Sequence, residues 1–372
     1  MQPYVPQRLP LDSLDWASFV RLIGPANAEL ARYDGILQGI VNPRVLLSPL
    51  TTQEAVLSSK IEGTYTSLEE VLEFEASEEA EPDRTEDLRE VLNYRHAMLQ
   101  AVAYLRRRPV CLDLLKKLHR TLMENVRGQE KGRGTFRKIQ NWIGQHGSTL
   151  ETAKFVPPDP IMMMESLSNW ERYVHHEEQD RLVQMAILHA QFEIIHPFCD
   201  GNGRVGRMII PLILYGYKLL SSPMFYLSSY LERHRETYYE RLFDITDSGQ
   251  WDSWIQFFLA AVVEQAKENS AKAKAILGLY DEMKARIPEV VPTQFTIQTI
   301  DAIFHRPIFK TTDFIQQSKI PKQSAMRILR ALQDHGTLVP IREGRGRRAA
   351  ILLFHELISL AEGKKKGKKR EK

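Results

Sequence analysis

The stretch His196-Pro197-Phe198-Cys199-Asp200-Gly201-Asn202-Gly203-Arg204-Val205-Gly206-Arg207 decides how this chain is read. It gathers a titratable base, a carboxylate, three glycines, an amide and two arginines. Its flanks, Leu182 to Ile195 and Met208 to Leu220, are apolar and suited to helices. A loop of this make-up between buried helices offers little to packing and much to an anion. Its glycines let backbone N–H groups approach a ligand, and a helix beginning near Asn202 turns its positive end toward a phosphate. Arg204 and Arg207, one helical turn apart, project from one face and suit adjacent phosphates. His196 exchanges a proton near neutral pH. Asp200 is a hard oxygen ligand of the kind Mg²⁺ takes.

Gly201-Asn202-Gly203-Arg204-Val205-Gly206 also spells the glycine pattern of dinucleotide-binding folds. That motif needs a preceding strand and an acid about 20 residues on. Here the preceding segment reads as helix, and Ser221 to Tyr226 offers no acid. The stretch as a whole resembles, position for position, the H-P-F-x-D-G-N-G-R-x-x-R signature of Fic-family enzymes. The resemblance implies AMP transfer from ATP to a hydroxyl of a target protein. His196 would be the general base and Asp200 the Mg²⁺ ligand. Gly201, Asn202, Gly203 and Gly206 would belong to the nucleotide cradle, with Arg204 and Arg207 on the β- and γ-phosphates. It also implies that Tyr238 and Tyr239 lie near the nucleobase.

A second element is Ser58-x-x-x-Glu62-Gly63. Ser58 and Glu62 fall on one helix face, and alone they read as a solvated polar face. The Fic resemblance gives them another meaning, because the family's inhibitory motif has this spelling. It implies that Glu62 pairs with Arg207 and keeps it from the γ-phosphate, while Ser58 steadies the glutamate. The helix carrying them should start at a capping box of Thr51 and Glu54 and stop at Gly63.

Hydrophobic residues make up 43% and charged residues 26% of the 372, an ordinary globular composition long enough for two or three domains. No apolar run approaches a membrane span. Met1 to Arg8 lacks a signal-type apolar core, and Cys111 and Cys199 make no disulfide framework, so a cytoplasmic location is expected. The net charge of +3 is uneven: Lys364 to Lys372 carries seven basic residues and one glutamate, which leaves the body near −3. Any nucleic-acid contact must therefore come from a local patch.

The expected fold is mainly α: a Fic-type helical bundle with a β-hairpin flap and a small C-terminal winged-helix domain. The expected blocks are an N-terminal helical region 1–86 with the inhibitory helix at about 50–63, a catalytic core 87–286, a winged-helix-like domain 293–356 and a basic disordered tail 364–372. Ala76 to Arg84 reads as an acidic loop, and His119 as structural. Lys138 to Ile143 and Lys154 to Pro158 read as the hairpin; the resemblance makes this the flap (about 138–156) on which a target protein docks. A single helical segment is expected over Leu227 to Phe243, another over Trp251 to Arg286, and a linker over Ile287 to Pro292. Beyond it, three helices and two strands (Leu338 to Arg342 and Ala349 to Leu353) resemble a winged helix. Lys322, Gln323, Arg327 and Arg330 on its third helix, with Arg342, Arg345, Arg347 and Arg348 on the wing, suit a DNA groove and its phosphates; such domains equally serve protein docking or homodimer formation. The motif leaves alternatives open: de-AMPylation, transfer of another nucleotide, or a DNA-binding regulator whose Fic-type core is a sensor.

Overall fold

Two neighbouring helices have opposite reasons for being buried, and they carry the motif between them. The computed structural model describes residues 2–40, 42–77, 79, 81–144, 147–345 and 348–363. The elements run α1 Trp16–Gln38, α2 Pro43–Leu46, α3 Ser48–Ile61, α4 Leu68–Ser77, α5 Pro82–Leu105, α6 Leu112–Leu122, α7 Pro160–Val174, α8 Arg181–Ile195, α9 Asn202–Gly216, α10 Ser228–Arg233, α11 Arg235–Ser248 and α12 Trp251–Val290. They continue α13 Thr296–His305, β1 Ile308–Lys310, α14 Thr311–Ser318, α15 Lys322–Asp334, β2 Val339–Arg342, β3 Ile351–Leu353 and α16 His355–Glu362.

The chain divides into two units that do not follow its order. The first comprises the N-terminal residues through Gly35, Leu57–Thr64 and Asn93–Lys267; the second comprises Ile36–Val56, Tyr65–Leu92 and the chain from Glu268 onward. The expected blocks follow chain order and cut across this division, because α1, α3, α5 and α12 each contribute to both units.

In the first unit, α8 is apolar on all sides, and so it is buried on all sides. Asp180 starts it, its carboxylate accepting from the N–H groups of Leu182 (2.8 Å) and Val183 (3.0 Å). Trp170 of α7 and Trp254 of α12 cover it, each indole N–H donating to an α8 carbonyl, Leu188 and Ala186. Helix α9 packs beside it and buries Val205, Met208, Ile209, Ile210, Leu212 and Ile213. Each such side chain contributes about 1.5–3 kcal/mol by leaving water, which fixes both ends of the loop between the two helices.

Several expected elements are redrawn. Thr51 and Glu54 lie inside α3, which begins at Ser48; the reciprocal capping pair is at α4, between Ser67 and Glu70. Gly63, at φ +94°, does follow the end of α3. The acidic segment from Ala76 is helical through Ser77 and again from Pro82, so the loop is short. The hairpin is not a ladder but one bridge, Ile143 to Phe155, because Pro157 and Pro158 supply no N–H to extend it; Gln145 and His146 in its turn lie outside the described residues. Leu227 to Phe243 is broken at His234 into α10 and α11, and the expected linker is helical through Val290.

In the second unit, three strands pair in the order β1-β3-β2, all antiparallel, with Ile308 and Val339 both opposite Leu353. Strand β1 was not anticipated: three residues are too few to show an alternation. Arg347 and the tail 364–372 lie outside the described residues.

Candidate functional site

The site is built at the end of α8. His196 caps that helix with φ +49° and ψ 62°. A non-glycine residue pays strain in this left-handed conformation, and such strain persists only where surroundings enforce it. The enforcing residue is Arg137, which is 3% exposed. Its Nε donates to the His196 carbonyl (3.0 Å), one Nη to the Pro158 carbonyl (2.5 Å) and the other to Ile139 (3.1 Å), while its backbone N–H donates to Pro197 (2.9 Å). His119 of α6 supports the loop from below. Its ring stacks on Phe198 at 3.9 Å, its Nε2–H donates to the Asp200 carbonyl and its Nδ1 accepts from the Gly134 N–H. Asn202 closes the turn, with both its amide atoms bonded to the backbone of Phe198 at 2.8 Å. Its side chain is thus committed to the loop, and its backbone is what it offers a ligand.

These contacts define the protonation of three histidines. Each has a ring nitrogen facing a carbonyl, which can only accept, so that nitrogen carries the proton. For His196 the carbonyl is that of Glu193 at 3.3 Å, which leaves the Nε2 lone pair available. Burial lowers the His196 pKa to about 4 and that of His119 to about 4. His189 in α8 donates from Nδ1 to the Gly206 carbonyl (3.1 Å) and accepts at Nε2 from the Tyr238 hydroxyl (3.0 Å); burial lowers it to about 3.

Gly201 caps α9 in the left-handed region at φ +75°, and Asp200 accepts from its N–H at 2.6 Å. Asp200 lies 3.5 Å from the Arg204 guanidinium, itself nearly buried. Arg207 is 1% exposed at its side chain and meets α3. Its Nε donates to the Ser58 hydroxyl and one Nη to the Ser58 carbonyl, both at 2.9 Å; that Nη also donates to Glu62 at 2.6 Å. Ser58 therefore steadies the arginine, whereas the sequence suggested that it steadies the glutamate. The Glu62 carboxylate sits over the first turn of α9: a Cβ on Gly203 would stand 2.2 Å from Glu62 Oε1. Burial opposes ionisation of Glu62, but the Arg207 charge outweighs it and holds the carboxyl below its ordinary pKa. Burial likewise opposes the Arg207 cation, and Glu62 outweighs it, so Arg207 is raised.

Glu193 was read as a packing group. Burial raises its pKa to about 8, and its Oε1 has no hydrogen-bond partner. A Cβ on Gly206 would lie 2.0 Å from that oxygen, so Gly206 is there to admit the carboxyl. Tyr238, expected near the base, is buried with its hydroxyl on His189; Tyr239 is 37% exposed, under the Arg235 guanidinium. Arg137 was missed. It stands in a glycine-rich stretch that reads only as a helix break, and its partners are 58 or more residues away for the His196 and Ile195 contacts.

A family model described as Fic/DOC family N-terminal matches residues 20–103, and one described as Fic/DOC family matches 109–214. A protein of Aquifex aeolicus (strain VF5) named "Probable protein adenylyltransferase" is 30% identical over 201 residues, 51% of this chain and 56% of that protein. The protein adenylyltransferase fic-1 of Caenorhabditis elegans is 30% identical over 108 residues, 28% of this chain and 19% of that protein. The chain thus spans little more than half of the first relative and about a fifth of the second. The crystal structure of a Fic family protein from Desulfovibrio desulfuricans G20 superposes over 95% of this chain and 98% of that one, with a TM-score of 0.58 at 19% identity.

Proposed function

The chain belongs to the Fic/DOC family, and from that premise we propose that it is a protein adenylyltransferase, moving AMP from ATP to a Ser, Thr or Tyr hydroxyl of a target protein under restraint by Glu62. The observation that carries this reading is the placement of a neutral His196, with Nε2 available, one short loop before a glycine-capped helix bearing two near-buried arginines.

The chemistry follows from these groups. The target hydroxyl gives its proton to His196 Nε2 as its oxygen attacks the α-phosphorus in line. The bond between the α- and β-phosphates breaks, and pyrophosphate leaves with the electron pair. The N–H groups opening α9, with Arg204 and Arg207, hold the β- and γ-phosphates, so most of the rate comes from positioning and electrostatics. The negative phosphates raise the His196 basicity that burial lowers. Asp200, with a side chain 41% exposed, fits a Mg²⁺ that takes its other ligands from phosphates and water; among the described residues no cluster of three or more His, Cys, Asp or Glu offers a full protein cage. Bound there, Mg²⁺ would offset phosphate charge. Glu62 occupies the cradle as an internal anion and holds Arg207 from the γ-phosphate. Trp142 and Ile139, exposed beside the Ile143–Phe155 bridge, suit an extended target segment.

The test is transfer of label from α-labelled ATP to protein. His196→Ala should lower it about 10²–10⁴-fold, the range for loss of a general base. Undiminished labelling by that variant would overturn the assignment.

A further inference from the structure

The second unit has its own arginines, and two of them already hold a carboxylate. Helix α15 buries Ala325, Ile328, Leu329 and Leu332. At about 100° per residue these fall on one side, and Lys322, Arg327 and Arg330 fall within an arc of about 140° on the other; all three are exposed. The chain turns directly from this helix into β2, the N–H groups of Thr337 and Leu338 both bonding to the Leu332 carbonyl. Arg342 at the end of β2 and Arg348 before β3 then converge on Glu79. Arg342 donates to one carboxylate oxygen at 2.9 Å and Arg348 to the other at 2.7 Å. Two guanidiniums on the two oxygens of one anion is the arrangement that suits a phosphate. Here its occupant comes from the α4–α5 connection of the same unit.

We propose that α15 and the adjoining wing bind the phosphate backbone of duplex DNA, and that Glu79 occupies the wing half of that surface until DNA displaces it. Charge complementarity favours a polyanion: the outward arc carries three cations, with Asp334 the acid at its far end. Helix geometry favours a duplex, because a helix with polar, cationic residues on its exposed face and its apolar side packed inward is what enters a major groove, with wing cations on flanking phosphates. The Glu79 side chain is 54% exposed, so water and salt compete with its two ion pairs, and a phosphate can replace it at modest cost. This inference is independent of AMP transfer.

The test is fluorescence anisotropy of the full chain with a short labelled duplex of random sequence, titrated between about 50 and 200 mM salt. Wild type should bind at the low end. Glu79→Gln should tighten that binding about 2- to 30-fold, the summed worth of two exposed ion pairs. It should also steepen the slope of log K against log salt by up to about 1.8, since each newly contacted phosphate adds about 0.9. Arg327→Glu with Arg330→Glu should remove binding. No binding by wild type and Glu79→Gln, an unchanged slope in Glu79→Gln, or full binding by the double variant would each overturn the proposal. So would tighter binding of poly-glutamate than of the duplex, which would assign the surface to an acidic protein.

Discussion

Replacing Glu62 by glycine should raise AMP transfer by a predictable factor. What is removed is one charge-assisted hydrogen bond, Arg207 Nη2 to Glu62 at 2.6 Å. Such bonds contribute about 1.5–3 kcal/mol. The Glu62 side chain is 33% exposed, so solvent screening argues for the lower half of that range. At about 1.4 kcal/mol per decade, kcat/KM for ATP should rise about 10- to 30-fold. The arginine itself should stay aimed, because the hydroxyl and carbonyl of Ser58 still hold two of its N–H groups. Glu62→Gln keeps the shape and loses the charge, so it should fall between wild type and glycine. The assay is initial-rate labelling with α-labelled ATP, with thermal melting alongside. Without Glu62, Arg207 is a buried cation lacking its counter-ion, so the variant should melt lower in buffer and gain more from ATP than wild type does. Equal kcat/KM in wild type and variant, with equal stabilisation by ATP, would refute the reasoning.

Three further outcomes follow from the same geometry. Stability should climb from pH 4.5 to 6.5, because unfolding lets His119, His189 and His196 take up protons that their low native pKa values refuse, each worth up to about 1.4 kcal/mol per pH unit. Glu193 acts oppositely: protonated when folded up to about pH 8 and ionised when unfolded, it should erode stability between pH 6.5 and 8, and Glu193→Gln should flatten that decline in denaturant titrations. Gly206→Ala should cost about 1–3 kcal/mol by overpacking against the Glu193 carboxyl, and much less in a Glu193→Ala background, where strictly additive costs would disprove the contact. Arg137→Ala should lower kcat more than it raises KM for ATP, since Arg137 fixes the His196 backbone and touches no proposed phosphate contact; unaltered kcat in a folded variant would show that His196 holds its conformation unaided.

The parts of the site legible in the sequence were those whose chemistry is contiguous. Twelve residues spell out the base, the carboxylate and both arginines, and the Ser58–Glu62 spacing points to one helix face. What Ser58 does was not legible, because spacing gives a face and not a partner; the partner is the buried Arg207. Arg137 and His119 were illegible for the same reason, since each acts through carbonyls or rings distant in sequence. The all-α character followed from the apolar runs, while β1 and the single-bridge hairpin fell below the length at which periodicity speaks.

The chain uses one device twice, in two dielectric settings, and the settings separate the two functions. Glu62 meets an arginine side chain that is 1% exposed, and Glu79 meets two that are 25% and 62% exposed. Screening acts through solvent, over about 8 Å at physiological ionic strength, and reaches a buried pair far less than an exposed one. Raising salt should therefore loosen Glu79 from its arginines while leaving Glu62 on Arg207. The same salt weakens any polyanion that would take Glu79's place, so that exchange is governed by how many phosphates arrive together. Only a ligand shaped for the cradle, bringing its phosphates to the opening turn of α9, can compete for Arg207. Salt sensitivity thus separates the two carboxylates: labelling by wild type should change little over a range in which the Glu79-dependent part of DNA binding disappears, and parallel loss of both would show that Glu62 is as exposed in solution as Glu79.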